Sequence, residues 1–378
     1  MKRWFLVFSI AIIVLLVACT PQTLPAPPAP APTAPIKAPV PASDLTSPTS
    51  QDPAWAKVIE SARKEGTVNV YTWGWTGDTG VSIAKAFKSR YGISLNLITG
   101  RGAEFIARIK TETRMNNITA DIFEGAGAHS ENMRLEGLLT PAGDLPVLRD
   151  KSVFTVDPFL LNGEGYYLVD NQSFLALYVN TNLVKPGEEP KAWVDLLEPK
   201  WKGKILFADP VISNSPSYFV AIIEQKRLGL DYLEKLGKQD LMFDASPQGV
   251  ASRITRGEAL VGFTDNDSVA AIAQEGGPIK IIDTREGVFV KGQAVGLVKN
   301  GPHPNAAKVL INWILSQEGQ DVYTKSKGVL TVRKDVPDYQ PLAVRLKPQN
   351  PIFINSQYND MIAKVFAEKQ YVPLFKPK

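Results

Sequence analysis

Apolar stretches that fit buried strands alternate with stretches that fit amphipathic helices over most of the chain. Residues 67–73 (TVNVYTW) are apolar on both faces, which indicates a buried parallel strand. Residues 83–91 then carry apolar side chains at helical spacing and end before Gly92. Residues 93–99 and 120–123 fit a second and a third strand. This β-α-β-α-β order predicts an open α/β sheet with right-handed crossovers.

The later half of the chain repeats this alternation. Residues 204–208 and 259–264 fit further strands, and residues 306–314 form the clearest amphipathic helix pattern of the sequence. Two strand-rich stretches, residues 166–180 and 287–299, separate the blocks. We expect each of these stretches to pass between two lobes.

The first residues fit an export signal. Lys2 and Arg3 precede residues 4–18, which are apolar except for one serine. About fifteen residues of helix rise about 22 Å, short of the roughly 30 Å of a hydrocarbon core, so a secretory signal fits better than a stable span. Residues 16–19 (LVAC) resemble a bacterial lipobox, which implies cleavage before Cys19 and its lipidation. The alternative is an ordinary signal peptide or an uncleaved anchor.

A Pro-rich tether follows, because residues 20–52 hold ten prolines, three charged residues and no aromatic residue. Such a stretch cannot bury enough apolar surface to fold, and Pro-Ala repeats favour extended segments. The predicted domains are the signal peptide 1–18, the tether 19–52, lobe one (53–165 with 286–330) and lobe two (166–285 with 331–378).

The composition of the chain excludes several classes of function and of site. Hydrophobic residues make up 44% and charged residues 21% of the 378 residues, as in ordinary globular proteins. The net charge is +4, which gives no electrostatic case for a nucleic acid partner. A single cysteine excludes an intrachain disulfide, and two histidines exclude a multi-histidine metal centre. We expect a monomer without a cofactor.

Several segments resemble the bacterial extracellular solute-binding proteins. These are residues 201–205 (WKGKI) followed by Asp209-Pro210, residues 180–184 (NTNLV), residues 257–259 (GEA) and residues 301–320. The resemblance is to the branch that binds ferric ion, thiamine or phosphonate. It implies a two-lobed, hinged α/β fold of the type II periplasmic-binding-protein kind.

The resemblance also implies a function, which is the delivery of a small solute to the permease and ATPase of an ABC importer, outside the cytoplasm and at a membrane through the lipid anchor. The ferric branch carries a tyrosine pair where this chain has residues 265–268 (DNDS), so we favour a small anionic solute, organic or phosphate-bearing. The alternatives are ferric ion bound with an exogenous anion, or a ligand-sensing surface lipoprotein. An enzyme is disfavoured, because the only cysteine lies in the lipobox and neither His129 nor His303 has a G-x-S-x-G partner.

Candidate ligand-binding residues follow strands, because ligands of open α/β sheets gather at the carboxyl ends of strands. An arginine at a helix start can bind carboxylate or phosphate with two parallel hydrogen bonds, which singles out Arg101. Aromatic, acidic and small polar side chains complete the set. The candidates are Trp73, Trp75, Thr76, Arg101, Glu124, Ser213, Ser215, Tyr218, Ser246 and Asp265.

Each candidate also has a structural alternative. Trp73 fits the core as well as a cleft, and Arg101 fits a solvated surface. Glu124 fits an ion pair with Arg101 as well as a contact to a ligand amine. Ser246 before a proline fits a helix cap, and so does Asp265.

Overall fold

The computed structural model describes residues 52–157, 164–210 and 227–354, together with residue 373. The signal segment with Cys19 and the candidates Ser213, Ser215 and Tyr218 therefore lie outside the described residues. No helix of the described part is long and apolar enough to cross a membrane.

Nine α-helices belong to the described part, and several begin and end where the sequence predicts. The helix at residues 247–255 is capped by Ser246, whose hydroxyl accepts from the N–H of Gly249 at 3.0 Å. The first helix ends at Gly66, which adopts a left-handed conformation with φ 72°. The helices are α1 (Pro53–Glu65), α2 (Gly77–Tyr91), α3 (Gly102–Arg114), α4 (Gly127–Leu135), α5 (Leu230–Gly237), α6 (Pro247–Thr255), α7 (Asn266–Gln274), α8 (Pro304–Ile314) and α9 (Gln317–Lys327).

Eleven described strands form one mixed sheet. The strands are β1 (Thr67–Thr72), β2 (Ser94–Thr99), β3 (Ile122–Ala126), β4 (Leu139–Thr140), β5 (Tyr167–Asn180), β6 (Ile205–Ala208), β7 (Met242–Asp244), β8 (Val261–Asp265), β9 (Ile279–Ile282), β10 (Val288–Val298) and β11 (Pro351–Phe353). Their order is β2-β1-β3-β10-β5-β8-β6-β7, with β4 and β11 beside β10 and β9 beside β5. The parallel pairs β1–β2 and β1–β3 match the predicted βαβαβ start.

Strands β5 and β10 run through both parts of this sheet. Residues 293–296 of β10 pair with β3 on one side and with the first half of β5 on the other. Residues 175–179 of β5 then pair with β8. The predicted crossover stretches are therefore continuous strands that join the two parts, and the expected two-lobed fold with hinge crossovers is confirmed.

Three hydrophobic clusters form the core of the described residues. The first joins β1–β3 to the helices behind them, where the rings of Phe87 and Trp313 lie 5.5 Å apart. Alternate residues of β5 enter the second and third clusters, so the sheet is covered on both faces in this part. Val332 belongs to the first cluster, and its carbonyl accepts from the N–H of Thr155. Lobe two is predicted to resume at residue 331, whereas these contacts join Val332 to the first cluster. The lobe boundaries remain a prediction.

Candidate functional site

The turn after β1 places its two tryptophans in opposite environments. Trp73 is 46% exposed at the carboxyl end of the strand. Trp75, expected in the cleft, is instead fully buried, and its Nε1 donates to Oδ2 of Asp170 at 3.3 Å. Thr76 is exposed and starts α2 without a capping hydrogen bond from its side chain. The buried indole therefore positions Asp170, and Trp73 and Thr76 remain open to a ligand.

Glu124 lies under this turn and is fully buried. Its Oε2 accepts from the hydroxyl of Thr72 and from the N–H of Gly74, the latter at 2.7 Å. The alternative interpretation, an ion pair between Glu124 and Arg101, does not occur. Arg101 is exposed at the start of α3, where its backbone N–H donates to Oε2 of Glu104 and its carbonyl accepts from the N–H of Phe105.

Polar side chains from five elements meet beside Glu124. We name this group, together with the backbone of Gly74, the hinge cluster, and its members are Thr72, Gly74, Glu124, Asp170, Asn171, Gln293, Tyr323 and Lys327. Asn171 and Gln293 are paired in register on β5 and β10, and their side chains bond at 2.8 Å. Lys327 and Tyr323, one turn apart on α9, both donate to Oε1 of Gln293. The cluster thus connects the turn after β1 and the end of α9 to β5 and β10. We call these two strands, which run through both parts of the sheet, the hinge strands.

Three acceptors of the hinge cluster have no hydrogen-bond donor. They are Oε1 of Glu124, Oδ1 of Asp170 and Oδ1 of Asn171, and all three residues are fully buried. A buried acceptor without a donor is costly, and natural folds keep few of them outside functional sites. This concentration of unsatisfied oxygens marks the hinge cluster as a candidate binding site.

Burial and neighbouring negative charge raise the pKa values of Asp170 and Tyr323 in the cluster. Burial, followed by the charge of Glu124, raises the pKa of Asp170 well above its ordinary value. Burial also raises the pKa of Tyr323, and the nearby charges of Asp170, Glu124 and Asp267 add to that rise. The hydroxyl of Tyr323 therefore stays protonated and can donate a hydrogen bond. Asp267, in the first turn of α7, lies close enough for its charge to raise the pKa of Tyr323.

The second part contributes Asp265 and its neighbours at the end of β8. Asp265 caps α7 by accepting from the backbone N–H and hydroxyl of Ser268, each at 2.9 Å, as its structural alternative predicts. Lys291 of β10 lies 3.8 Å from carboxylate oxygens of both Asp265 and Asp267. Oδ1 of Asp267 is a further buried acceptor without a donor. This edge is therefore acidic and touches the hinge strand.

Sequence reasoning missed the residues at the centre of the cluster. Asp170 and Asn171 begin a polar run at residues 170–173 (DNQS) between apolar stretches of one strand, and that run within a predicted crossover was the available signal. Tyr323 and Lys327 stand four residues apart on a helix, and nothing in their spacing separates a site from a surface. Within the described residues, no three His, Cys, Asp or Glu side chains are grouped to hold a metal ion.

A sheet whose two parts share two long strands, with a polar cluster on those strands, defines a hinged, two-lobed binding protein. The chain belongs to the bacterial extracellular solute-binding proteins, because the model of that family matches residues 82–351. The family match and the fold therefore both indicate a binding protein.

Named relatives and solved structures agree with this assignment. A periplasmic protein of Salmonella typhimurium named for 2-aminoethylphosphonate binding is 25% identical over 265 residues, covering 66% of this chain and 73% of its own. Iron-bound HitA of Pseudomonas aeruginosa has a TM-score of 0.66 at 20% identity, covering 80% of this chain and 99% of its own. AfuA of Actinobacillus pleuropneumoniae with fructose-6-phosphate has a TM-score of 0.62 at 22% identity, covering 82% and 97%. These two structures are similar in fold.

Proposed function

We propose that this chain is the extracytoplasmic solute-binding component of an ABC importer. It captures a small organic solute between its two lobes and presents it to a permease and its ATPase. The observation that carries the proposal is that β5 and β10 cross between the lobes and bear buried polar side chains where they cross. Contacts to both lobes favour a closed form only when solute is bound, which is how a hinge converts binding into a shape that a partner recognises.

The solute in this proposal carries an anionic group, phosphate or phosphonate in character. Arg101 supports it, because its guanidinium is exposed at the start of α3 on the strand edge where ligands of this fold gather. The Salmonella relative is named for binding a phosphonate, and the AfuA structure contains fructose-6-phosphate, so both support a phosphate-like group on the solute. Ferric ion bound with an exogenous anion is the second candidate, and it draws support from the fold of iron-bound HitA.

The proposal also covers membrane attachment and oligomeric state. The lipobox-like residues 16–19 support a lipid anchor on Cys19, with the Pro-rich tether holding the folded part away from the membrane. The folded part works as a monomer, without catalysis and without a resident cofactor.

Native mass spectrometry of freshly purified protein tests this function directly. We expect a co-purified small solute, released by mild denaturation and identified by accurate mass. Small-angle scattering of the stripped protein should then show a smaller radius of gyration when that solute is added back at saturation. Binding without compaction would contradict hinge capture, and retention of iron alone would favour the second candidate.

A further inference from the structure

The hinge cluster converges on one small volume beside the Cα of Gly74. A Cβ built on Gly74 would lie 2.5 Å from Oε1 of Glu124, 2.5 Å from Oε1 of Gln293 and 2.9 Å from Nζ of Lys327. A side chain at this position would therefore displace polar groups that the fold has brought together. Glycine lets the turn after β1 pack closely against the buried polar atoms of the cluster.

The unsatisfied atoms of the cluster are all acceptors. Oε1 of Glu124, Oδ1 of Asp170 and Oδ1 of Asn171 lack donors, whereas donors beside them bond to other acceptors. The indole of Trp75 bonds Asp170, and the ammonium of Lys327 bonds Gln293 and, at 3.5 Å, the hydroxyl of Tyr323. A group that completes this site must bring several donors, and a primary ammonium brings three.

Charge selects a cation over a neutral donor. Glu124 and Asp170 repel each other, since the charge of Glu124 raises the pKa of Asp170. The charge of Lys327 lowers the pKa of Asp170 and so acts in the opposite direction, but the ammonium of Lys327 bonds to the neutral Oε1 of Gln293. Across the hinge, Asp265 and Asp267 share Lys291. The carboxylates of Glu124, Asp265 and Asp267 outnumber the ammonium groups of Lys327 and Lys291, which opposes a bare anion.

We infer that the solute carries a protonated amine as well as its anionic group, and that Glu124, Asp170 and Asn171 receive the ammonium at the hinge. This inference rests on the proposed function and narrows its solute to an amine-bearing, zwitterionic class. The ammonium supplies the missing donors and relieves the repulsion between the two carboxylates. Because Asp170 and Asn171 lie on β5 and bond to β10 and α9, binding there acts on the hinge itself.

Paired probes that differ only in the amine test the inference. Titration calorimetry on the mature chain compares 2-aminoethylphosphonate with 2-hydroxyethylphosphonate, and putrescine with 1,4-butanediol. We expect an amine probe to bind about tenfold or more tightly than its hydroxyl partner, the effect of a hydrogen-bonded charge. Equal affinity within each pair, or no binding of either amine up to roughly 10 mM, would overturn the ammonium site.

Charge-removing variants of similar shape assign the effect to the cluster. Glu124→Gln and Asp170→Asn should each reduce amine affinity about tenfold or more and remove most of the preference for the amine. Asp78→Asn is the matched control, because Asp78 is exposed in the first turn of α2 and removes the same charge nearby. Loss of preference in the control alone, or none in the cluster variants, would overturn the assignment.

The co-purified solute separates failure of this inference from failure of the proposed function. A retained small solute that contains a basic amine supports both. A retained solute without an amine leaves the capture function standing and overturns the ammonium site. Absence of any bound solute, together with no compaction by any probe, would count against the proposed function itself.

Discussion

The indole Nε1 of Trp75 donates to Oδ2 of Asp170 at 3.3 Å, which joins the turn after β1 to hinge strand β5. The same indole meets the ring of Tyr323 edge to face, with centroids 6.1 Å apart. Trp75 thus links a turn, a hinge strand and helix α9. The bond stabilises the charged form of Asp170 against the opposing effect of burial.

Trp75→Phe should destabilise the fold by about 1–3 kcal/mol, because it keeps an aromatic ring but leaves a buried carboxylate oxygen without its donor. Urea unfolding monitored by circular dichroism measures the change. Trp73→Phe is the control, and we expect it to stay within about 0.5 kcal/mol, since Trp73 is half exposed. Equal losses in the two variants would mean that the bond to Asp170 contributes little.

Much of the fold follows from the sequence because hydrophobic period and chain punctuation are local signals. The strand at residues 67–72 and the helix at residues 304–314 lie where periodicity predicts them. The third strand, predicted at residues 120–123, is found at residues 122–126. The strand continues past residue 123 because Gly125 pairs with β10. The local sequence pattern does not show this pairing, because the two strands are distant in sequence.

The candidate site was harder to predict, because its members are distant in sequence. Which of two tryptophans turns inward depends on Asp170, ninety-five positions away, so the burial of Trp75 was not foreseen, and its contact with a ligand remains a prediction. Glu124 was found, but its partner is the turn after β1 and not Arg101. Ser246 and Asp265 both serve as caps, and their ligand contacts remain predictions.

Arg101→Ala should weaken binding of an anionic solute by about 1.5–3 kcal/mol, the scale of one charged hydrogen-bonded contact. Because Arg101 is exposed, the free energy of unfolding should change by no more than about 0.5 kcal/mol. Calorimetric titration measures the affinity. Arg114→Ala removes the same charge from the exposed far end of α3 and should leave affinity unchanged. Unchanged affinity in the Arg101 variant would remove this residue from the site.

Gly74→Ala should abolish solute binding and destabilise the fold by about 1–3 kcal/mol, because a Cβ 2.5 Å from Oε1 of both Glu124 and Gln293 overpacks the cluster. Calorimetry and thermal unfolding measure the two effects. Thr76→Ala is a suitable comparison, since Thr76 is exposed and makes no capping bond. Its stability should match the natural chain, and a loss of affinity there would support the predicted contact of Thr76 with the ligand. Normal binding by the Gly74 variant would contradict the convergence on Gly74.

Asp170→Asn should stabilise the solute-free protein at neutral pH. Burial raises the pKa of Asp170 in the folded chain above the unfolded value of 3.8, so between these two values the folded state holds a proton that the unfolded state has lost. Stability therefore falls as pH rises through this window, and the contribution of the protonated group is fully present only below 3.8. Asparagine does not titrate, so the variant gains about 1.4 kcal/mol over the natural chain for each pKa unit that the window spans.

Urea unfolding of both proteins from pH 3.5 to 8 measures this difference, and titrating groups that are distant from Asp170 cancel when the two curves are subtracted. The gain should grow with pH and vanish at the acid end. A gain in stability that accompanies a loss of amine binding would mean that the buried carboxylate is retained for the solute at the expense of the fold. A variant less stable than the natural chain at neutral pH would show that the hydrogen bond from Trp75 outweighs the cost of burying the charge.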